Sequence, residues 1–330
     1  MNLTMEQIAS FATGVDHVEI RQTGCVLHRM PAAMEALYTN DQGVRAGCTS
    51  GVRLRFASDS RWIKITLQYG EPARWYFLCA VVVDGAASQA FGPVGHQKTW
   101  QGMVFTQELN MRRVYDIWLP HLCPVEVMGL EVEDGSVVEA APALAFRWLA
   151  YGDSITQGMN ASLPLFTWPA RAAQALSAGV VNLGVGGATL RAELAQSVPD
   201  IGPQLVTISY GANDYVVNVP LADLRANAVA LLDALRRRYP GVPVVVTTPV
   251  PLFKPVGLNQ LGLSLDDYRQ ALESVVAGRP DVHLVRGTDL VPADHYYFND
   301  WTHPNDQGMV SYSENILPHL KKLVQPLKGA

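Results

Sequence analysis

Residues 146–158 read FRWLAYGDSITQG. The first six, Phe146–Tyr151, are a mostly apolar run, and Gly152-Asp153-Ser154 then turns the chain sharply. A short apolar run closed by a turn predicts a strand covered on both faces. In open α/β sheets, ligands bind outside the carboxyl ends of the strands, which makes Ser154 a candidate nucleophile. A serine after a strand also serves as a helix N-cap. The two readings separate only if the rest of the chain supplies a base, an orienting acid and oxyanion donors.

Downstream of this stretch, apolar runs alternate with helical patterns. Strands are predicted at Val180–Leu183, Leu205–Tyr210, Val242–Thr248 and Val282–Val285. A helix is predicted at Thr167–Ser177, with Pro169 near its start, and another is expected to begin in Gly187–Gln196. Leu221, Leu224, Ala228, Leu231 and Leu235 mark one face of a long helix. Ser264–Ala277 opens with a capping-box pattern, Ser264-x-x-Asp267. Pro304–Leu317 is the last main helix, expected to break or kink at Pro318. Five strands joined by helices predict a doubly wound parallel sheet, because parallel strands need crossover connections.

Upstream, residues 1–145 read as all-β. Val52–Phe56 and Ile63–Leu67 alternate apolar and polar, and Val114–Leu119 and Val125–Val132 are further strands. Asp84-Gly85 and Asp134-Gly135 both look like hairpin turns. A short helix is expected at Met5–Phe11. Many short strands with turn signals predict a β-sandwich of jelly-roll type. Ala140–Leu144 marks the boundary, giving a β domain at 1–145 and an α/β domain at 146–330. The β part carries Trp62, Trp75, Tyr76, Phe77, Trp100 and Trp118. Such aromatics either fill a sandwich core or stack against sugar rings.

The chain has 330 residues, 48% hydrophobic and 17% charged, with a formal net charge of −5. This mild acidity gives no electrostatic case for nucleic acid or an anionic membrane as partner. The basic triplet Arg236–Arg238 ends a helix, where cations suit the dipole. The N-terminus lacks a basic segment followed by an apolar one, so a cytoplasmic location is expected. No uninterrupted apolar run is long enough for a membrane-spanning helix. Cys25, Cys48, Cys79 and Cys123 are far apart, so buried thiols are expected, with disulfides the alternative in an exported protein.

Three other predicted strand ends carry conspicuous residues. Asn182–Gly187, NLGVGG, departs from a dinucleotide fingerprint, since Thr189 stands where the last glycine belongs. Its glycines serve either a tight turn or a main-chain N–H aimed at an anion. In Gly211-Ala212-Asn213-Asp214, Asn213 is either a helix cap or an oxyanion donor. In Asp300-Trp301-Thr302-His303-Pro304-Asn305, one short turn brings the Asp300 carboxylate beside His303 Nδ1 and leaves Nε2 free for a hydroxyl. Asp294 and His295 are too few to complete a metal shell, and no metal or organic cofactor is expected. Together these residues are the parts of a serine hydrolase. The G-x-S-x-G elbow is absent, however, because Thr156 replaces its second glycine.

At four blocks the sequence resembles the SGNH, or GDSL-type, hydrolase superfamily: GDSIT at 152–156, NLGVGG at 182–187, GAND at 211–214 and DWTHPN at 300–305. The resemblance covers about residues 146–325 and implies a flavodoxin-like α/β/α domain. It implies Ser154 as nucleophile, His303 as base and Asp300 as the residue orienting it. The implied oxyanion hole is the Ser154 and Gly187 amides plus the Asn213 side chain. Ile155 replaces the leucine of the GDSL name. A β-sandwich ahead of such a domain resembles the two-domain carbohydrate esterases of the superfamily. The expected activity is therefore hydrolysis of short acyl esters, acetate above all, on a small molecule or oligosaccharide. The alternatives are a lipase, lysophospholipase or thioesterase, a sugar O-acetyltransferase, and a glycan-binding protein with a vestigial hydrolase domain.

Overall fold

The computed structural model describes residues 1–324. The first half holds α1 (Met5–Ser10), β1 (Ala12–Thr13), β2 (His17–Ile20), β3 (Cys25–His28), α2 (Ala32–Glu35) and α3 (Asn40–Gly47). Eight strands follow: β4 (Arg53–Ser58), β5 (Trp62–Tyr69), β6 (Cys79–Val83), β7 (Ala87–Phe91), β8 (Thr99–Thr106), β9 (Arg113–Trp118), β10 (Val125–Val132) and β11 (Val138–Ala140). They form two antiparallel sheets, one ordered β1-β4-β9-β6-β7 with β11 beside β4, the other β2-β3-β10-β5-β8. The alternation in β5 turns Ile63, Ile65 and Leu67 inward, where they meet Leu54, Phe56 and Ile117 of the facing sheet in one apolar core. All four cysteines are free and buried.

The second half holds β12 (Phe146–Gly152), α4 (Ser154–Gln157), α5 (Trp168–Leu176), β13 (Ala178–Gly184), β14 (Leu205–Ser209), α6 (Ala212–Val216) and α7 (Leu221–Arg238). It continues with β15 (Val244–Thr247), α8 (Leu265–Val276), β16 (Val282–Val285), α9 (Gly287–Leu290) and α10 (Asp306–Val324). The five strands are parallel, in the order β13-β12-β14-β15-β16. Side chains of β12 alternate between two cores. Phe146, Trp148 and Ala150 pack with Trp168 of α5 and Tyr312 of α10, while Leu149 and Tyr151 pack with Leu231 of α7 and Leu272 of α8. This is a three-layer α/β/α sandwich. Its first strand lies between the second and third, so the strand order reverses there, at the place where such sheets bind ligands.

The N-terminal half packs on both faces of this sheet. Ala80, Val82 and Trp118 join the core around Trp148. Met30, Met34, Tyr38 and Ala46, from the segment between β3 and β4, join the core around Tyr151. That helical segment is a departure from the all-β expectation. Its two helices are too short to show helical periodicity and are stabilised by packing.

Three further expectations are corrected. Asp84-Gly85 does close the β6–β7 hairpin, but Asp134-Gly135 does not close one. It turns the chain from β10 in one sheet to β11 in the other, because a turn signal fixes a local bend and not the strand's partner. Gly187–Gln196 begins with a tight turn, and only Ala192–Gln196 is helical, as a 3₁₀ turn. Gly187 has φ +80° there, and the Leu190 amide bonds the Asp214 carboxylate in place of a helical carbonyl. Pro318 lies inside α10 and does not end it. Ile316, Leu320 and Val324 continue one buried stripe past the proline. Burial at roughly 1.5–3 kcal/mol per side chain outweighs the roughly 3 kcal/mol cost of a helical proline.

Candidate active site

The stretch after β12 turns because Gly152 has no side chain: a Cβ there would run into the Thr156 hydroxyl. Asp153 is the N-cap of α4, its Oδ1 accepting from the Ile155 N–H at 2.9 Å. Ser154 is thus the first helical residue and not the cap, which leaves its hydroxyl free for other contacts. Burial pushes the Asp153 carboxyl up to about 7.

Ser154 Oγ lies 2.9 Å from His303 Nε2. On the other side of the ring, His303 Nδ1 lies 2.8 Å from Asp300 Oδ2 and 3.1 Å from Oδ1. The loop turn foreseen for Asp300 and His303 is held by the Asp300 carboxylate itself. Its Oδ1 accepts from the backbone N–H of Thr302 at 2.8 Å and of His303 at 2.7 Å. Partial burial alone would raise the Asp300 carboxyl, but its hydrogen bonds and attraction to His303 outweigh that and hold it well below the usual carboxylate range.

Gly187 and Asn213 stand at the ends of the strands flanking β12. Gly187 is the positive-φ residue of the turn after β13. Asn213 is in the first turn of α6, where Gly211 holds the N-cap position. The Asn213 Nδ2 donates to the Ala188 carbonyl at 3.0 Å, which joins the two loops and uses one of its two amide protons. The neighbouring Asp214 is buried, accepts from Gly211 and Leu190 amides, and is pushed up to about 7 by burial.

Four further contributors went unnoticed in the sequence. Asn160, at φ +69°, donates from Nδ2 to Asp300 Oδ2 at 2.9 Å. Its one sequence signal is the residue type, since asparagine tolerates positive φ. Arg74, from the loop after β5, sets its guanidinium 4.0 Å from Asp300 Oδ2. Gln42 and Arg45 of α3 donate to the Gly187 and Gly186 carbonyls at 2.8 and 3.0 Å. No sequence signal connects these two to a loop 140 positions later. The remaining polar candidates have other work. Asp294 caps the turn at Tyr296, and His295 stacks on Phe253.

The arrangement can move a proton from the Ser154 hydroxyl onto an imidazole whose tautomer a carboxylate fixes. Residues 150–310 match the sequence model of the GDSL-like Lipase/Acylhydrolase family. The α/β part of the chain is a GDSL-type, or SGNH, hydrolase domain, of a class that hydrolyses or transfers acyl groups. No curated protein sequence matches the chain. Among solved structures, the salicylyl-acyltransferase SsfX3 from a tetracycline biosynthetic pathway is similar over 94% of both chains, with a TM-score of 0.81 and 24% identity. A protein from Bacteroides ovatus described as a GDSL-like lipase is similar over 98% of both, with a TM-score of 0.81 and 17% identity. A family two carbohydrate esterase from Clostridium thermocellum is similar over 84% of this chain and 94% of its own, with a TM-score of 0.67 and 19% identity. At these identities the likeness is one of fold, and it takes in both halves of the molecule.

Proposed function

We propose that the protein is a serine esterase that removes short acyl groups, acetate in particular, from carbohydrate esters. The observation that carries the reaction is the continuous relay from Ser154 Oγ through His303 to Asp300. His303 Nε2 takes the hydroxyl proton as Oγ bonds to the ester carbonyl carbon. The tetrahedral oxyanion accepts from the Ser154 and Gly187 N–H groups and the free amide proton of Asn213. As the ester C–O bond breaks, His303 returns the proton to the leaving alcohol. Water then attacks the acyl-enzyme with the same base, which releases the carboxylic acid and restores Ser154.

The carbohydrate part of the proposal rests on exposed aromatics. Trp75 is 75% exposed on the loop that also carries Arg74, the Asp300 neighbour, and Trp301, next to Asp300 in sequence, is 48% exposed. Two large exposed rings, one next in sequence to Arg74 and the other to Asp300, suit the apolar faces of sugars.

Labelling by a fluorophosphonate tests the nucleophile: wild type is expected to be labelled at Ser154, and Ser154→Ala neither labelled nor active. Full activity in Ser154→Ala would sink the mechanism. p-Nitrophenyl acetate is expected to be cleaved faster than the octanoate ester, and the reverse order would point to a lipase. Acetate release from acetylated xylo-oligosaccharides tests the alcohol side, and product analysis with added sugar acceptor separates hydrolysis from acyl transfer.

A further inference from the structure

The second oxyanion donor sits in an unusual turn. Val185–Ala188 is closed by the Ala188 N–H donating to the Val185 carbonyl at 3.0 Å. Gly187 has φ +80° and Gly186 does not have positive φ, which is the pattern of a type II turn. Types I and II begin and end alike and differ by a flip of the central peptide, here Gly186–Gly187. With glycine at both central positions, neither orientation carries a side-chain penalty. A trans peptide points its C=O and N–H in opposite directions, so whatever holds the Gly186 carbonyl also aims the Gly187 N–H.

We propose that Arg45, from α3 in the N-terminal half, is a positioning residue that latches this peptide and so keeps the Gly187 N–H turned toward the reacting carbonyl. The inference rests on Gly187 being an oxyanion donor, as read above. Arg45 Nη1 donates to the Gly186 carbonyl at 3.0 Å, and Gln42 Nε2 secures the next carbonyl, Gly187, at 2.8 Å. The latch is itself anchored. The Arg45 carbonyl accepts from Arg29 Nη2 at 2.8 Å and from Gln157 Nε2 at 2.9 Å. Gln157 Oε1 in turn accepts from the Gly186 N–H at 2.7 Å. Gln157 ends α4, the helix that Ser154 begins. Arg45, the glycine turn and the nucleophile's helix therefore form one closed ring of hydrogen bonds. Arg29 ties it further to the Asn182 carbonyl from a fully buried position. A cation on the Gly186 oxygen also polarises the peptide, which makes the Gly187 N–H a stronger donor. Flipping the peptide would break the Arg45 bond and turn a carbonyl oxygen toward the developing oxyanion.

The test uses the full chain carrying Arg45→Ala or Arg45→Met, assayed with p-nitrophenyl acetate well below each melting temperature. Loss of a whole oxyanion donor costs on the order of 100-fold or more, so a freed peptide is expected to lower kcat about tenfold or more with KM nearly unchanged. Affinity for a boronic acid that forms a tetrahedral adduct on serine is expected to fall in parallel. Guanidinium ion at millimolar concentration is expected to restore kcat in Arg45→Ala but not in Arg45→Met, whose stem fills the space. A purely structural arginine would lower the melting temperature without these effects. Folded variants with wild-type kcat, or a loss carried entirely by KM, would overturn the proposal. If Arg45→Ala does not fold, Arg45→Met and Arg45→Lys carry the test, with Lys expected to retain more kcat than Met. Failure of the underlying reading shows separately, as wild-type protein that neither cleaves the ester nor labels at Ser154.

Discussion

Asn160→Gly isolates the support of the triad's acid from the acid itself. Asn160 occupies φ +69°, where alanine would add strain and glycine adds none, so the substitution removes the side chain and keeps the turn. The lost contact is the 2.9 Å bond from Nδ2 to Asp300 Oδ2. Oδ2 keeps His303 Nδ1, and Oδ1 keeps the Thr302 and His303 amides at 2.8 and 2.7 Å. A hydrogen bond to a charged acceptor contributes about 1.5–3 kcal/mol. Three remaining donors hold the carboxylate within reach of the ring, so only part of that sum reaches the transition state. We expect kcat for p-nitrophenyl acetate to fall about three- to tenfold, KM to hold, and the melting temperature to drop by a few degrees. Asp300→Ala supplies the scale, because it removes the group that sets the imidazole tautomer and is expected to cost a factor on the order of 10⁴. An Asn160→Gly enzyme as fast as wild type would show the bond to be idle. One as slow as Asp300→Ala would show that Asn160 does more than steady the carboxylate.

Other outcomes follow from the same geometry. Asn213→Ala removes a donor that the Ala188 carbonyl already orients, and it is expected to cost roughly 3–4 kcal/mol in kcat, read by steady-state kinetics. Trp75→Ala is expected to raise KM for acetylated oligosaccharides and leave p-nitrophenyl acetate unaffected; equal effects on both substrates would remove the ring from the sugar site. Burial raises the Asp153 carboxyl to about 7, above an unfolded value of about 3.9. Its protonated form is thus favoured by folding. That stability is fully present below the unfolded value and is lost as pH rises through about 7. Melting scans from about pH 4 to 8 are therefore expected to fall less steeply in Asp153→Asn than in wild type, and parallel curves would contradict the shift.

Much of this site was legible because its chemistry is written locally. Asp300 and His303 are three residues apart and share one turn, and each of Ser154, Gly187 and Asn213 follows its own strand, so chain order alone brings them to one sheet edge. The elements that misled are those whose fate is decided by distant packing. Pro318 signals a break or a kink, yet the buried stripe of Leu320 and Val324 carries α10 past it without a break. Asp134-Gly135 signals a hairpin, yet β11 pairs with β4 in the other sheet. The same blindness hid Gln42 and Arg45. They sit on a short helix whose packing partners, among them Tyr151 and Leu183, lie more than 100 positions away.

That placement bears on why the two halves stay joined. The N-terminal half meets the hydrolase domain at the Trp118–Trp148 core, at the 29–47 segment, and at the triad itself through Arg74. The last two reach the candidate site: Gln42 and Arg45 bond the Gly187 and Gly186 carbonyls, and Arg74 sets a cation beside Asp300. An accessory domain that merely held substrate would have no reason to grip Gly186 and Gly187. If the sandwich half completes the active site through these contacts, the hydrolase half expressed from residue 146 alone is expected to lose most of its esterase activity even if it folds. An isolated hydrolase half that folds and retains full kcat for p-nitrophenyl acetate would refute that, because this small ester needs no sugar-binding surface.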